Sequence, residues 1–233
     1  MRPVVNVLRR VRQSLLSSIG HVAFGMEDGA VSVAGLVFGV AASTNSTQIV
    51  LLAGATGAIA GAVSMMAGTF LDEHSERSRA AALIEEAHRR INSDPARALE
   101  GVASQLNAAG FTDTEAAGVL AAFERNPDAL LDYVAAFDLR VPRGPGASPW
   151  THAVWMFVAD LVAASVPVVP FAVFDIETAR LVSLIVTGAL MALLGIARAR
   201  IGHESVWQTA LQTMAIAGAA ALAGVLIGRL VTR

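Results

Sequence analysis

The chain alternates long apolar stretches with short polar ones. Five stretches reach the roughly 20 apolar residues that a helix needs to cross a bilayer. They fall at about 22–44, 49–71, 150–173, 179–197 and 206–230. The first two are separated by STNSTQ, the third and fourth by DIET, and the fourth and fifth by RARIGHES. A polar segment, 72–147, parts the second from the third. Ahead of the first, Val4, Leu8, Val11, Leu15 and Ile19 recur at helical spacing among Arg2, Arg9, Arg10 and Arg12. This pattern predicts an all-α polytopic membrane protein with five transmembrane helices. An amphipathic interfacial helix occupies 1–20 and transmembrane helices 1 and 2 occupy 21–71. A small helical cytoplasmic domain occupies 72–147, and transmembrane helices 3–5 occupy 148–233.

Inside the polar segment the helix signals are local. SERSRAAALIEEAHRRI continues the second span as a helix. Asp94-Pro95 starts the next helix, with Asp as N-cap and Pro in the first turn, and Gly110 ends it. Its apolar face is Leu99, Val102, Ala103 and Leu106. Thr112 and Glu115 fit a capping box, followed by Ala116, Val119, Leu120 and Phe123 at helical spacing. Asn126-Pro127 opens a last helix with a face of Leu130, Tyr133, Val134 and Phe137. VPRGPGASP, 141–149, links back to the apolar part.

Composition agrees with a membrane chain. Hydrophobic residues make up 55% and charged residues 15%, against the ~25% charged of soluble domains. Net charge is −2, so no bulk attraction to nucleic acid is expected. The absence of cysteine removes disulfides, zinc–thiolate sites and thiol catalysis. All 17 basic residues are Arg, which suggests a GC-rich bacterial genome. No nucleotide loop and no nucleophile–base arrangement is present, so an enzyme is not expected. Arg placement orients the chain. Arg lies at the N-terminus, in 72–147 and at Arg198 and Arg200, whereas STNSTQ is uncharged and DIET is acidic. The expectation is a cytoplasmic membrane protein with its N-terminus in and its C-terminus out. Arg229 and Arg233 dissent mildly. Trp150, Trp155 and Trp207 sit where interfacial anchors are found.

Candidate chemistry lies in the spans. Asp28, Ser32, Gly35 and Gly39 share one stripe of the first span, and Gly54, Gly57, Gly61, Ser64 and Gly68 share one of the second. Gly35/Gly39, Gly57/Gly61 and Gly224/Gly228 are GxxxG patterns that let helices approach. Asp28 either ligates a cation or caps a helix that starts later, among headgroups; an acid deep in a membrane costs about 2.5–3.5 kcal/mol on insertion scales. Met65, beside Gly61 and Gly68, is either a soft metal ligand or packing. Asp160, in the third span near Pro167 and Pro170, is a proton carrier, a structural acid or a ligand. Asp72, Glu73 and Glu76, with Glu85, Glu86 and His88, form acidic faces that are either solvated or a metal entrance.

HVAFGMEDGAVSVAGLVFGVA resembles the first span of the vacuolar iron transporter (VIT) or CCC1-like family, whose hallmark is GANDGLVS. Glu27 replaces the Asn, while Asp28, Gly29, Val31 and Ser32 match. GAVSMMAGTF resembles the second-span motif GALSMAxGEY through Ser64, Met65 and Gly68, with Thr69 in place of the acid. SVPVVPF resembles LIPLLPY. A Glu placed earlier on the second span in the family falls at Gly57. The resemblance implies a homodimer in lipid that exports cytosolic Fe²⁺ or Mn²⁺, often against protons, with no permanently bound cofactor. It implies Asp28 and Met65 as membrane ligands. It also implies a cytoplasmic metal store whose five acid positions fall at Glu86, Arg89, Arg97, Glu100 and Asp138. The family's Met pair falls at Val134 and Ala135. An Arg repels a cation, which sets this store apart from its relatives. Two functions follow: a divalent-metal exporter by proton antiport, with Ser32, Ser64, Asp72, Glu76 and Asp160 along its pathway, or a degenerate, non-transporting member acting as a membrane scaffold through its helical domain.

Overall fold

The computed structural model describes residues 2–141 and 148–231, with side chains from residue 8 onward. Most of the 141–149 linker, Arg233 and the side chains of Arg2 and Val4 therefore lie outside the described residues. Every regular element described is a helix. The order is α1 (Arg2–Ser17), α2 (Ile19–Ser43), α3 (Thr47–Ser93), α4 (Pro95–Ala108), α5 (Asp113–Arg125), α6 (Pro127–Phe137), α7 (Pro149–Val168), α8 (Pro170–Val173), α9 (Ile176–Gly202) and α10 (Val206–Val231). Five of them, α2, α3, α7, α9 and α10, are long and apolar enough to cross a membrane. The chain divides into two compact units, Met1–Leu71 with Ala147–Arg233, and Asp72–Gly146.

In the first unit α2 is central, packed on α7 and α10. Its small residues make this possible. A Cβ on Gly39 would stand 2.8 Å from the Gly224 carbonyl oxygen, and one on Gly224 would overlap the carbonyl oxygen of Gly35. One on Gly228 would overlap that of Gly39. Two of the three GxxxG patterns therefore meet each other, backbone against backbone. A second layer joins Val33, Val37 and Ala41 of α2 to Val50 and Ala58 of α3, Ala164 and Val168 of α7, and Phe171 of α8. A third joins Ala30, Ala163 and Met191.

Proline divides the third apolar stretch. Pro167 and Pro170 bring no N–H to the helix ladder, and α7 gives way to the short α8 after Val168. Ser183 of α9, fully buried, donates to the Pro167 carbonyl oxygen at 2.7 Å. At the other end of α9 the expected 198–204 loop is largely helix. Arg198 and Arg200 lie within α9, which ends where His203 adopts a left-handed conformation (φ 53°). Arg200, in that last turn, complements the helix dipole. In α1, Leu8 and Val11 are exposed alongside Arg9, Arg10 and Arg12. Trp155 Nε1 of α7 donates to Ser14 Oγ of α1 at 2.9 Å.

The second unit is a small helical bundle. Ala87 and Ile91 of α3 pack with Val102 and Leu106 of α4, Ala116 of α5, and Leu130 and Leu131 of α6. Each start is capped as its residues dictate. Asp94 accepts from Arg97 N at 3.0 Å, and Asn126 accepts from Ala129 N at 3.2 Å. Thr112 and Glu115 form a reciprocal capping box. Gly110, at φ +98°, turns the chain out of α4. The core face of α6 differs from expectation: Leu131 and Ala135 are buried, while Phe137 is 67% exposed and stacks on Tyr133 at 4.7 Å.

Candidate metal pathway

Asp28 lies more than two turns inside α2, and Ser18 holds the N-cap position. Asp28 is therefore not the cap of a helix that begins beside it. Asp28 is half-buried, and Glu27 beside it is held by Arg198, whose Nη1 donates to Glu27 Oε2 at 3.2 Å. The other Glu27 oxygen, Oε1, is buried with no partner. Glu27, Asp28, Arg198, Glu204 and Thr213 line one cavity of about 640 Å³, which contains no residue of α3.

Asp160 of α7 is 1% exposed. Glycines make its room. A Cβ on Gly29 of α2 would stand 2.7 Å from Asp160 Oδ1, and one on Gly61 of α3 would stand 3.9 Å from Oδ2. Asp28 directly precedes Gly29 on α2, the helix packed against Asp160. Three helices thus converge on Asp160. Met65 is half-exposed on α3 and Ser64 is exposed; nothing of the unit stands within 4 Å of a Cβ built on Gly68 one turn away. Ser32 is exposed on α2 and lines a separate groove with Gly35, Gly39 and Gly224. Nearer the start of the bundle, Ser18 Oγ lies 2.9 Å from His152 Nδ1, and the His152 and His21 rings are 4.8 Å apart.

In the second unit, Glu86, Asp94, Arg90, Arg97 and Asp138 line a cavity of about 780 Å³ with Val134. Its acids already have protein partners. Glu86 accepts from Arg90 Nε and Arg89 Nη2, each at 2.9 Å. The Arg90 hydrogen bond and charge, then Arg89, hold the Glu86 carboxyl below the usual carboxylate range. Asp138 accepts from Gln105 Nε2. Glu100 is exposed and is not part of this lining, so only Glu86 and Asp138 of the three matched acids come together. Asp72 and Glu76 are exposed on α3.

The VIT family model matches residues 19–229. The chain belongs to the VIT family. Three VIT relatives align along most of their length. Vacuolar iron transporter 1 of Eucalyptus grandis is 28% identical over 208 residues, 87% of this chain and 83% of its own. The vacuolar iron transporter of Centaurea cyanus is 28% identical over 209 residues, 88% and 85%. Vacuolar iron transporter 1 of Arabidopsis thaliana is 25% identical over 214 residues, 91% and 86%. VIT membership and five apolar helices make the chain an integral membrane protein.

Three polar participants in this VIT chain's largely apolar cavity escaped the sequence reading: Arg198 as an ion-pair partner, Glu204 and Thr213. Glu27 was visible only as a departure from a motif. Two consecutive acids in an apolar helix were a usable signal, because both together demand a cation.

Proposed function

We propose that the chain is a transporter that moves divalent transition metal, Fe²⁺ or Mn²⁺, out of the cytosol in exchange for protons. The observation that carries this reading is Asp28, set more than two turns inside an apolar helix whose next residue, Gly29, packs on the buried acid Asp160. The names of the aligned relatives supply iron, and Mn²⁺ rests on the motif resemblance. In this reading the N-terminus and 72–147 face the cytosol and the C-terminus faces out. Metal enters near Asp72 and Glu76. It is ligated by Asp28 and Met65, a carboxylate–thioether pair that suits Fe²⁺ or Mn²⁺ better than Mg²⁺ or Ca²⁺. Ser32 and Ser64 lie along the path, and Asp160 takes the returning proton. The half-exposed Met65 and the open face around Gly68 suit a site completed by a second copy of the chain. Flux of Mn²⁺ and anaerobic Fe²⁺ into proteoliposomes under an imposed pH gradient tests it. Wild-type protein should carry metal, and Asp28→Ala and Met65→Ala should not. Equal flux from all three proteins would sink the reading.

One observation favours the second reading, a scaffold. Two of the three acids of the helical domain that would store metal, Glu86 and Asp138, are occupied by Arg89, Arg90 and Gln105. Folded wild-type protein with no flux above empty liposomes would select it.

A further inference from the structure

The cavity beside Asp28 has a chemistry of its own. Its ionisable lining comprises three carboxylates, Glu27, Asp28 and Glu204, and one guanidinium, Arg198. The sum is negative, which favours a cation over a phosphate or an anionic headgroup. Two of its polar atoms are buried without partners: Glu27 Oε1 and the hydroxyl of Thr213. Thr213 is 3% exposed and lines the same cavity from α10. A buried, unpaired hydroxyl and carboxylate oxygen are costly unless a ligand satisfies them. Glu204, in turn, is positioned by Thr209 Oγ1, which donates to its Oε2 at 2.9 Å.

Arg198 already supplies one positive charge here. It reaches Glu27 with a single nitrogen at 3.2 Å, and its side chain is 48% exposed, against 20% for Glu27. A half-exposed guanidinium on a largely buried carboxylate leaves by swinging outward, and nothing buried has to move with it. We propose that this cavity is a divalent-cation vestibule of oxygen ligands, Glu27, Glu204 and Thr213, latched by Arg198. The incoming cation displaces the guanidinium from Glu27 and is then one residue from Asp28. All the donors are oxygen, so the vestibule accepts hard cations such as Mn²⁺, and softer discrimination is left to later ligands. This rests on the proposed transport of a divalent metal past Asp28.

The test is Mn²⁺ binding to the full chain in nanodiscs, read by electron paramagnetic resonance of the free ion. Arg198→Gln should tighten binding at least about fivefold, the factor that one unit charge 4 Å away supplies even in a water-like dielectric. Glu27→Gln should weaken it. In the Glu27→Gln background the gain from Arg198→Gln should shrink, because there is no longer a pair to break. Unchanged or weaker binding by Arg198→Gln overturns the latch, and so does an equal gain in both backgrounds. Glu204→Gln leaves the ion pair in place and gives a reading that does not require folded Arg198 variants. It should weaken binding, and unchanged affinity overturns the ligand set. Binding shifts that persist without metal flux would refute transport and keep the vestibule; flux without the shifts would do the reverse.

Discussion

Arg180 of α9 donates through Nη2 to the Thr44 carbonyl oxygen at 3.1 Å, closing the C-terminal end of α2 across 136 residues of chain. The same nitrogen also reaches the carbonyl of Ala41 and Asn45 Oδ1, while Nη1 pairs with Glu177 at 2.7 Å. The last carbonyls of a helix lack partners and carry partial negative charge, so one cation satisfies both needs. Arg180→Ala should destabilise the helical bundle by about 2 kcal/mol, the range of hydrogen bonds to a charged group. Arg180→Lys should retain part of that. Thermal unfolding of the detergent-solubilised protein checks the order.

The α2–α10 contact predicts unequal glycines. Gly224→Ala places a methyl group on the Gly35 carbonyl oxygen, and overpacking of this kind costs roughly 1–3 kcal/mol. Gly218→Ala, on the same helix, meets nothing within 4 Å. Replacing a mid-helix glycine there should be neutral or stabilising by up to about 1 kcal/mol. Equal unfolding midpoints for the two variants would refute the close approach.

Ser183→Ala removes the hydrogen bond to the carbonyl of Pro167. Such bonds between membrane helices are worth about 0.6 kcal/mol and rarely above 1.7. The expected loss is therefore small. Its structural mark is faster amide exchange at the α7–α8 break than at the centre of α9.

Acid should loosen the second unit locally. Glu86 has a folded-state pKa below its ordinary value, lowered by its Arg90 and Arg89 partners. A depressed carboxyl contributes stability that is complete above its unfolded pKa, near 4.5. That contribution is lost as pH falls through the lower folded value. Hydrogen exchange of 84–91 should therefore differ between wild type and Glu86→Gln at neutral pH and converge in acid. A constant difference down to the most acidic pH would contradict this assignment.

Asp160 gives a functional prediction that is separable from ligand loss. Asp160→Asn keeps its volume and polarity beside Gly29 and Gly61, yet cannot exchange a proton. Mn²⁺ binding should survive, while the dependence of flux on an imposed pH gradient should vanish. Gradient-driven flux from this variant would assign proton exchange to another group.

The sequence announced structure wherever a local signal was sufficient. Asp94, Thr112 and Asn126 cap helices because a short polar side chain reaches the free amides two or three residues on. The five apolar stretches are helices because length and composition alone demand it. Contacts set by tertiary packing were hidden. Arg180 lies next to an acidic turn and reads as an ordinary surface charge. Arg198 reads as a loop residue until α9 is seen to continue past it to Gly202. The Gly35, Gly39, Gly224 and Gly228 motifs were visible, but their pairing with each other was not, since GxxxG names no partner. At the candidate site, Asp28 was conspicuous as an acid in an apolar run. The cavity around it is assembled from α9, α10 and their connection, so no single stretch of sequence displays it.

The interlocked glycines also partition mobility. Where two helices touch through their own backbones no side chain lies between them to rearrange, so around Gly35, Gly39, Gly224 and Gly228 α2 and α10 shift together. Any rocking that exposes Asp28 first to one face of the membrane and then to the other has to be carried by the elements beside that pair. The α7–α8 break, where the helix ladder is already interrupted, lies outside that pair.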